Sequence, residues 1–347
     1  MFKEMDLYTD YLLGSFGQVP STVLSNLLDG AVFPDKITRM LSVKDYSSQD
    51  LWLAVKPLVR LHKSEDACLI FEDTIVNKPH TDANDMICWH WDHSEGCNVK
   101  CINLVTSFYH TQSATSSAAL RVPVSFDCVR KTISFVDPKT VKQKCRSPVS
   151  KNVMMRSMLQ TAVESQHLKF GYVLADSWFS ASDNMLFIHK LKKFFVMDIK
   201  KNRHCMFSAE DRDDGQWSSL DKLSIEPAKP LKVWLKGLAI AVLLCKLVFT
   251  NKDGSTGEAY LVSNDLELSA DQFKLLYKKR WSVEEYHKSL KQNASLVKSS
   301  PRSERTQTSH LFASLLVYVK LERLKFAHQM NHFALKMKIY SAALKHA

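Results

Sequence analysis

The chain has 347 residues, 45% hydrophobic and 24% charged, with only 9 Gly and 10 Pro. That composition excludes collagen-like, low-complexity and dominantly disordered chains, and it suits two or three globular domains. The formal net charge of +11 favours a polyanionic partner, nucleic acid before a membrane surface. The excess is uneven: residues 271–347 carry 15 Lys/Arg against 5 Asp/Glu, whereas residues 1–60 carry 6 against 7. The last fifth of the chain is therefore expected to grip the polyanion.

Residues 1–64 read as helical, with apolar positions at helical spacing over 7–16, 22–28, 37–41 and 51–61. Ser21 and Ser48 are candidate N-caps. The links around Gly30 and Pro34 suggest a helix-turn-helix arrangement. A DNA-binding segment and a bundle that only packs on the rest both remain open. Glu4, Asp6 and Asp10 interrupt the N-terminal segment, which is not read as a signal peptide. The apolar stretch 235–249 is broken by Lys236 and Lys246 and is too short to span a bilayer. The expectation is a cytoplasmic protein, away from membranes, with its eight cysteines reduced.

Strands are expected at 67–72, 99–108, 120–126 and, more weakly, 132–136. A helix at 150–166, a strand at 170–175 meeting Asp176, a helix at 182–192 and a strand at 194–199 follow. A meander followed by strand–helix–strand predicts a mixed α/β sheet. His90, His93, Cys97 and Cys101 have ligand types that suit zinc. On a strand, though, Cys97 and Cys101 would stand roughly 13 Å apart, too far to share one ion. They are read as buried or incidental. Residues 201–268 are β-rich, with runs at 232–235, 239–250 and 259–263 and a turn at Asp253-Gly254. Helices are expected at 271–291, 309–326 and 331–347. The chain thus divides into a helical region (1–64), an α/β region (65–200), a β-rich insertion (201–268) and a basic helical region (269–347).

The helix from 271 concentrates the chemistry. Tyr277, Arg280, Glu284 and Lys291 fall within roughly 60° of one another at about 100° per residue. A hydroxyl, two cations and a carboxylate share one stripe. A solvated face would also tolerate that set. Arg280, Glu284 and Lys288, at four-residue spacings, would then form an ion-pair ladder worth about a few tenths of a kcal/mol.

The spacing Tyr-x2-Arg-x3-Glu-x6-Lys resembles the signature of bacterial cut-and-paste transposases of the DDE type, the insertion-sequence-four group. All four positions are present as Tyr277, Arg280, Glu284 and Lys291. Asp176, just after an apolar strand in VLADSWFS, stands where that family places its second acid. Asp73, in LIFEDTIV, stands where it places the first, and 107 mostly β-rich residues separate Asp176 from Glu284. The resemblance covers about residues 20–330. There is one departure. The family commonly shows an Asp-Asp-Thr run, and here Glu72 precedes Asp73 and Thr74. Neighbouring strand residues face opposite sides, so 72 and 73 are not equivalent; Asp73 is taken as the first acid, with Glu72 the alternative.

The resemblance implies an RNase-H-like core, completed by the helix after 269, with a β-rich insertion before the last acid. Asp73, Asp176 and Glu284 would be the catalytic acids and metal ligands. Carboxylates gathered at strand ends repel one another until divalent cations neutralise them. Their hard oxygens select Mg²⁺ or Mn²⁺, two ions in the usual arrangement, about 3.5–4 Å apart. Tyr277, Arg280, Lys288, Lys291, Lys298 and Arg302 would contact DNA. The implied partners are double-stranded DNA, as terminal inverted repeats and target, and a second copy of the chain in a synaptic complex. The implied location is the bacterial cytoplasm, at the nucleoid when bound to DNA. Trp178 and Trp281 read as base-stacking or as packed residues, and the run Lys190, Lys192, Lys193, Lys200, Lys201, Arg203 as a DNA path or a solvated face. Two other readings of the chain stay open: a metal-dependent nuclease without strand transfer, and a catalytically degenerate DNA-binding derivative.

Overall fold

The computed structural model describes residues 3–112, 119–208, 215–251, 253–299 and 302–345. Met1 and Phe2 of the N-terminal segment, and His346 and Ala347 of the expected last helix, lie outside the described residues. The chain forms two compact units: Met1–His62 with Asp73–Ser150 and Glu284–Ala347, and Lys63–Glu72 with Lys151–Val283.

The first unit begins with helices α1 (Lys3–Gly14), α2 (Ser21–Leu27), α3 (Pro34–Val43) and α4 (Ser48–Leu61). The expected caps shift by one residue. Ser47, not Ser48, caps α4, and its N–H and hydroxyl donate to the Asp50 carboxylate at 2.9 and 3.1 Å. Ser48 is already helical, and its hydroxyl donates to the Phe126 carbonyl at 2.6 Å. Pro20, not Ser21, precedes α2. These helices surround a long helix, α8 (Glu304–His328), buried from Thr306 through Val319. Its burial takes in polar residues such as Gln307, His310 and Glu322 as well as apolar ones, and Ser303 caps it by accepting from the Thr306 N–H. Its cations are answered by the N-terminal acids. Lys320 lies 3.7 Å from Asp6 and 2.7 Å from Asp10, and Arg305 lies 2.8 Å from Asp45. Part of the basic surplus is therefore used within the unit. The last helix, α9, is His332–Leu344.

Strand β1 (Cys68–Asn77) starts in the second unit and ends in the first. The first unit adds β2 (Cys88–Asp92), β3 (Cys97–Gln112) and β4 (Ala119–Cys128), with β3 antiparallel to both β2 and β4. β3 is buried from Cys101 through Thr111. The β3–β4 register shifts between Ser107 and Phe108, beside Pro123, which has no N–H for a regular ladder. A separate hairpin joins β5 (Ile133–Val136) to β6 (Gln143–Arg146).

The second unit is a large mixed sheet in the order β10-β9-β11-β12-β13-β8-β7-β1. Its strands are β7 (Tyr172–Ala175), β8 (Phe194–Ile199), β9 (His204–Met206), β10 (Ser218–Ser219), β11 (Leu231–Leu235), β12 (Ala241–Thr250) and β13 (Thr256–Ser263). Helix α5 (Lys151–Gln160) ends in a π-helical turn at Thr161–Ser165, and α6 (Ser182–Lys190) packs on β8. β1, β7 and β8 are parallel, and α6 supplies the crossover that β7 and β8 require. β13 pairs antiparallel with β8, so the strands within 201–268 extend this sheet. The architecture is the mixed α/β sheet flanked by helices that an RNase-H-like fold implies. Helix α7 (Ala270–Gln292) starts in this unit and ends in the first. No described helix is long and apolar enough to cross a membrane.

Gly171 sets the entry to β7. Its N–H donates to the Ala67 carbonyl at 3.0 Å, and its own carbonyl accepts from the Phe194 N–H at 3.0 Å. A Cβ there would stand 2.8 Å from the Glu65 carbonyl oxygen. G171A is expected to lower stability by about 1–3 kcal/mol, the usual range for overpacking. Chemical denaturation of the variant checks this, and an unchanged midpoint would contradict it.

Candidate functional site

The parallel register builds a row of acids. Phe71 pairs with Ala175, and Ala175 with Met197. The next residues along the three strands are Glu72, Asp176 and Asp198. Asp176 stands just past the end of β7 and Asp198 one residue before the end of β8. Carboxyl ends of parallel strands are where open α/β sheets form their sites.

Helix α7 brings Arg280 to this row. Its Nη1 lies 3.3 Å from the Glu72 carboxylate, and Arg280 is only 8% exposed. The guanidinium is also 5.4 Å from the Tyr277 ring and 5.5 Å from the Trp281 ring. Burial pushes the Asp198 carboxyl up to about 6; the Arg280 charge pulls it down and the Asp176 charge pushes it further up. The Asp176 carboxylate accepts the Trp178 N–H at 3.0 Å. Trp178 itself is exposed, with the Lys151 ammonium 4.2 Å over its ring.

Asp73 and Glu284 belong to the other unit. Asp73 accepts from the Asn103 amide at 2.9 Å, so adjacent residues 72 and 73 serve different partners, as strand alternation requires. Glu284 is exposed on α7. Two turns on, Lys291 is part-buried; burial lowers its pKa, while Asp92 and Glu284 act in the opposite sense. Lys288 is exposed, 5.4 Å from the Phe333 ring. Burial also lowers the Lys298 pKa. Arg302, exposed, lines a cavity of about 430 Å³ with Tyr8, Ser21, Thr38, Ser303 and Thr306.

Of the expected site residues, the second unit gathers Asp176, Tyr277 and Arg280, and the first holds Asp73, Glu284, Lys288, Lys291, Lys298 and Arg302. Two further acids escaped sequence reasoning. Asp198 interrupts the apolar run FFVMDI near its end, much as Asp176 closes its own strand, and that parallel was a usable signal. Asp92, beside Lys291, left none. In the second basic run, Lys193 donates to the Phe170 carbonyl at 2.7 Å and Arg203 to the Ser182 hydroxyl at 2.6 Å. Both serve the fold. Lys190, Lys192, Lys200 and Lys201 are exposed.

Among the described residues, no group of three or more His, Cys, Asp or Glu is arranged to hold a metal ion. Near the expected His/Cys set, His90 Nε2 is 3.1 Å from Cys88 Sγ, while Cys97 is exposed and Cys101 buried. Asp73, Asp176 and Glu284 each carry carboxylate oxygens, a donor type that suits hard divalent cations rather than zinc.

Residues 133–320 match the family described as a transposase DDE domain. That stretch is more than half of the chain and contains Asp176 and the whole Tyr277–Lys291 spacing; it begins after Asp73. The chain belongs to the transposase DDE domain family. No curated protein matches it. Among solved structures it is similar to the Drosophila P element transposase strand transfer complex, at 15% identity and a TM-score of 0.26, over 56% of this chain and 37% of that one. The chain thus spans well under half the length of that relative.

The acid row gives stability a defined pH dependence. Asp198, held at about 6 against an ordinary 3.8, binds its proton more tightly folded than unfolded. Its contribution is fully present below about pH 4 and is lost as pH rises through about 6. The stability difference between wild type and D198N is expected to change over that window, with wild type losing ground as pH rises. Urea titrations at several pH values check this, and a pH-independent difference would contradict it.

Proposed function

We propose that the protein is a bacterial transposase of the insertion-sequence-four group that cuts and rejoins DNA at the terminal inverted repeats of its element. The observation that carries this reading is the Tyr277, Arg280, Glu284, Lys291 spacing on the single helix α7, within the segment matched to the transposase DDE domain. Asp73, Asp176 and Glu284 are the proposed catalytic carboxylates. The engagement of Glu72 with Arg280 supports Asp73 over Glu72 as the first acid.

The three carboxylates are also the groups that would hold Mg²⁺ or Mn²⁺. When bound, such ions supply charge neutralisation and activation of an attacking hydroxyl oxygen. In the proposed reaction water attacks a phosphorus atom at the element end. One P–O bond forms, the bond to the 3′-oxygen breaks, and that oxygen leaves with a proton. The freed 3′-hydroxyl then attacks a second phosphodiester and displaces its 3′-oxygen, so strands are exchanged without a covalent protein intermediate. Tyr277, Arg280, Lys288, Lys291, Lys298 and Arg302 are proposed to bind backbone phosphates and position them. The partners on this reading are terminal-repeat and target DNA and a second copy of the chain.

D176N and E284Q are each expected to abolish cleavage of element-end DNA in Mg²⁺, by at least about 10³-fold, while end binding changes less than about threefold. Gel assays of nicking and of binding separate the two, and near-normal cleavage by either variant refutes the assignment. Joined products with supercoiled target distinguish a transposase from a nuclease. K291A is expected to reduce the slope of log affinity against log salt by about one unit; an unchanged slope removes Lys291 from the phosphate contacts.

A further inference from the structure

Residues 130–146 hold six Lys/Arg against a single acid, Asp137. Strands β5 and β6 within this stretch form a two-stranded sheet of their own, exposed at every residue except the half-buried Phe135. Part of the charge is already answered. Asp137 is taken by Lys144 and by the N–H groups of Lys139 and Thr140, at 2.8 and 3.3 Å. Arg130 lies 3.4 Å from Asp127 and 3.8 Å from Glu304, and Lys131 donates to the Trp89 carbonyl. Lys139, Lys142 and Arg146 are exposed, and among the described residues none of the three is in an ion pair. The turn that carries Lys139 and Lys142 is held by its own backbone. The Val141 N–H donates to the Asp137 carbonyl at 2.8 Å, and the Asp137 N–H to the Lys142 carbonyl at 2.9 Å. The register pairs Ile133 with Arg146 and Phe135 with Lys144, so these four side chains share one face of the ribbon. The Arg146 guanidinium lies 5.6 Å from the Phe135 ring.

We propose that the β5–β6 ribbon enters the major groove of duplex DNA, with Arg146 reading guanine and Lys139 and Lys142 gripping the flanking phosphates. The choice of DNA as partner rests on the transposase reading above. The excess of cations complements a polyanion. Two strands about 4.8 Å apart fit the major groove, about 12 Å wide, and not the minor groove at about 6 Å. The chemistry of the Ile133, Phe135, Lys144, Arg146 face matches what that groove displays. A guanidinium fork meets the O6 and N7 acceptors of guanine, and apolar side chains meet thymine methyl groups. A single strand would call for open stacking aromatics, and the one aromatic of the ribbon, Phe135, lies beside Arg146.

The test uses the full chain and an element-end duplex. K139A/K142A is expected to reduce the slope of log affinity against log salt by about two units. R146A is expected to weaken binding at least about fivefold. At saturating protein it should also lose the protection of guanine N7 from dimethyl sulfate that the wild type gives. An unchanged slope overturns the proposal, as does N7 protection that survives in R146A. Protection of adenine N3 alone, in the minor groove, overturns it too. If K139A/K142A keeps the slope but loses self-association in sedimentation, the ribbon seats a second copy of the chain and the proposal fails. The substituted side chains are exposed, so thermal melting should match the wild type; K139Q/K142Q and R146Q replace the alanine variants if it does not. D176N is run alongside. Normal cleavage by D176N sinks the transposase reading and leaves the slope and footprint to decide on the ribbon. An inactive D176N with an unchanged K139A/K142A slope sinks only the ribbon.

Discussion

The parallel register of β1, β7 and β8 is the constraint on which the acid row depends. Side chains on neighbouring parallel strands share a face only when the strands stay in step. A slip of one residue would turn Asp198 or Glu72 to the other side of the sheet. One point of contact that keeps the step is Gly171, whose backbone bonds toward both β1 and β8 and whose missing Cβ leaves space for the Glu65 carbonyl. A backbone contact some five residues upstream thus governs where Asp176 stands. The proposed chemistry calls for an acid at that level, and the strand register supplies the level.

A buried ion pair such as Glu72–Arg280 is a poor source of stability, because desolvating both charges offsets most of their attraction. Its value lies in uniqueness. A guanidinium that meets one shielded carboxylate at 3.3 Å has few alternative partners nearby, so the pair favours one placement of α7 over others. The apolar residues of α7, Phe273, Leu276 and Val283 among them, provide the burial beside that pair.

Elements with long apolar runs were legible in the sequence because burial writes itself as periodicity. β7, β8, β12 and the helices α7 and α8 fall close to their expected positions. β2, β9 and β10 were not, since strands of two to five residues with His, Asp and Ser are defined by their neighbours rather than by composition. Ser47 and Ser48 are equivalent as sequence; only the Phe126 carbonyl and the Asp50 carboxylate tell them apart. The same holds for the site. The spacing of Tyr277, Arg280, Glu284 and Lys291 was readable along one helix. That Arg280 turns inward to an acid 208 positions away is a property of the fold, and helical geometry alone cannot distinguish it from an outward-facing cation.

The ion pairs that Lys320 and Arg305 make with Asp6, Asp10 and Asp45 bear on how the protein meets a polyelectrolyte. Those three carboxylates are permanent, covalently attached counterions. A duplex approaching the chain displaces mobile ions, but it does not displace these, so the charge of +11 misstates the number of cations open to exchange. Fewer of the chain's cations are therefore left facing solvent than its net charge suggests.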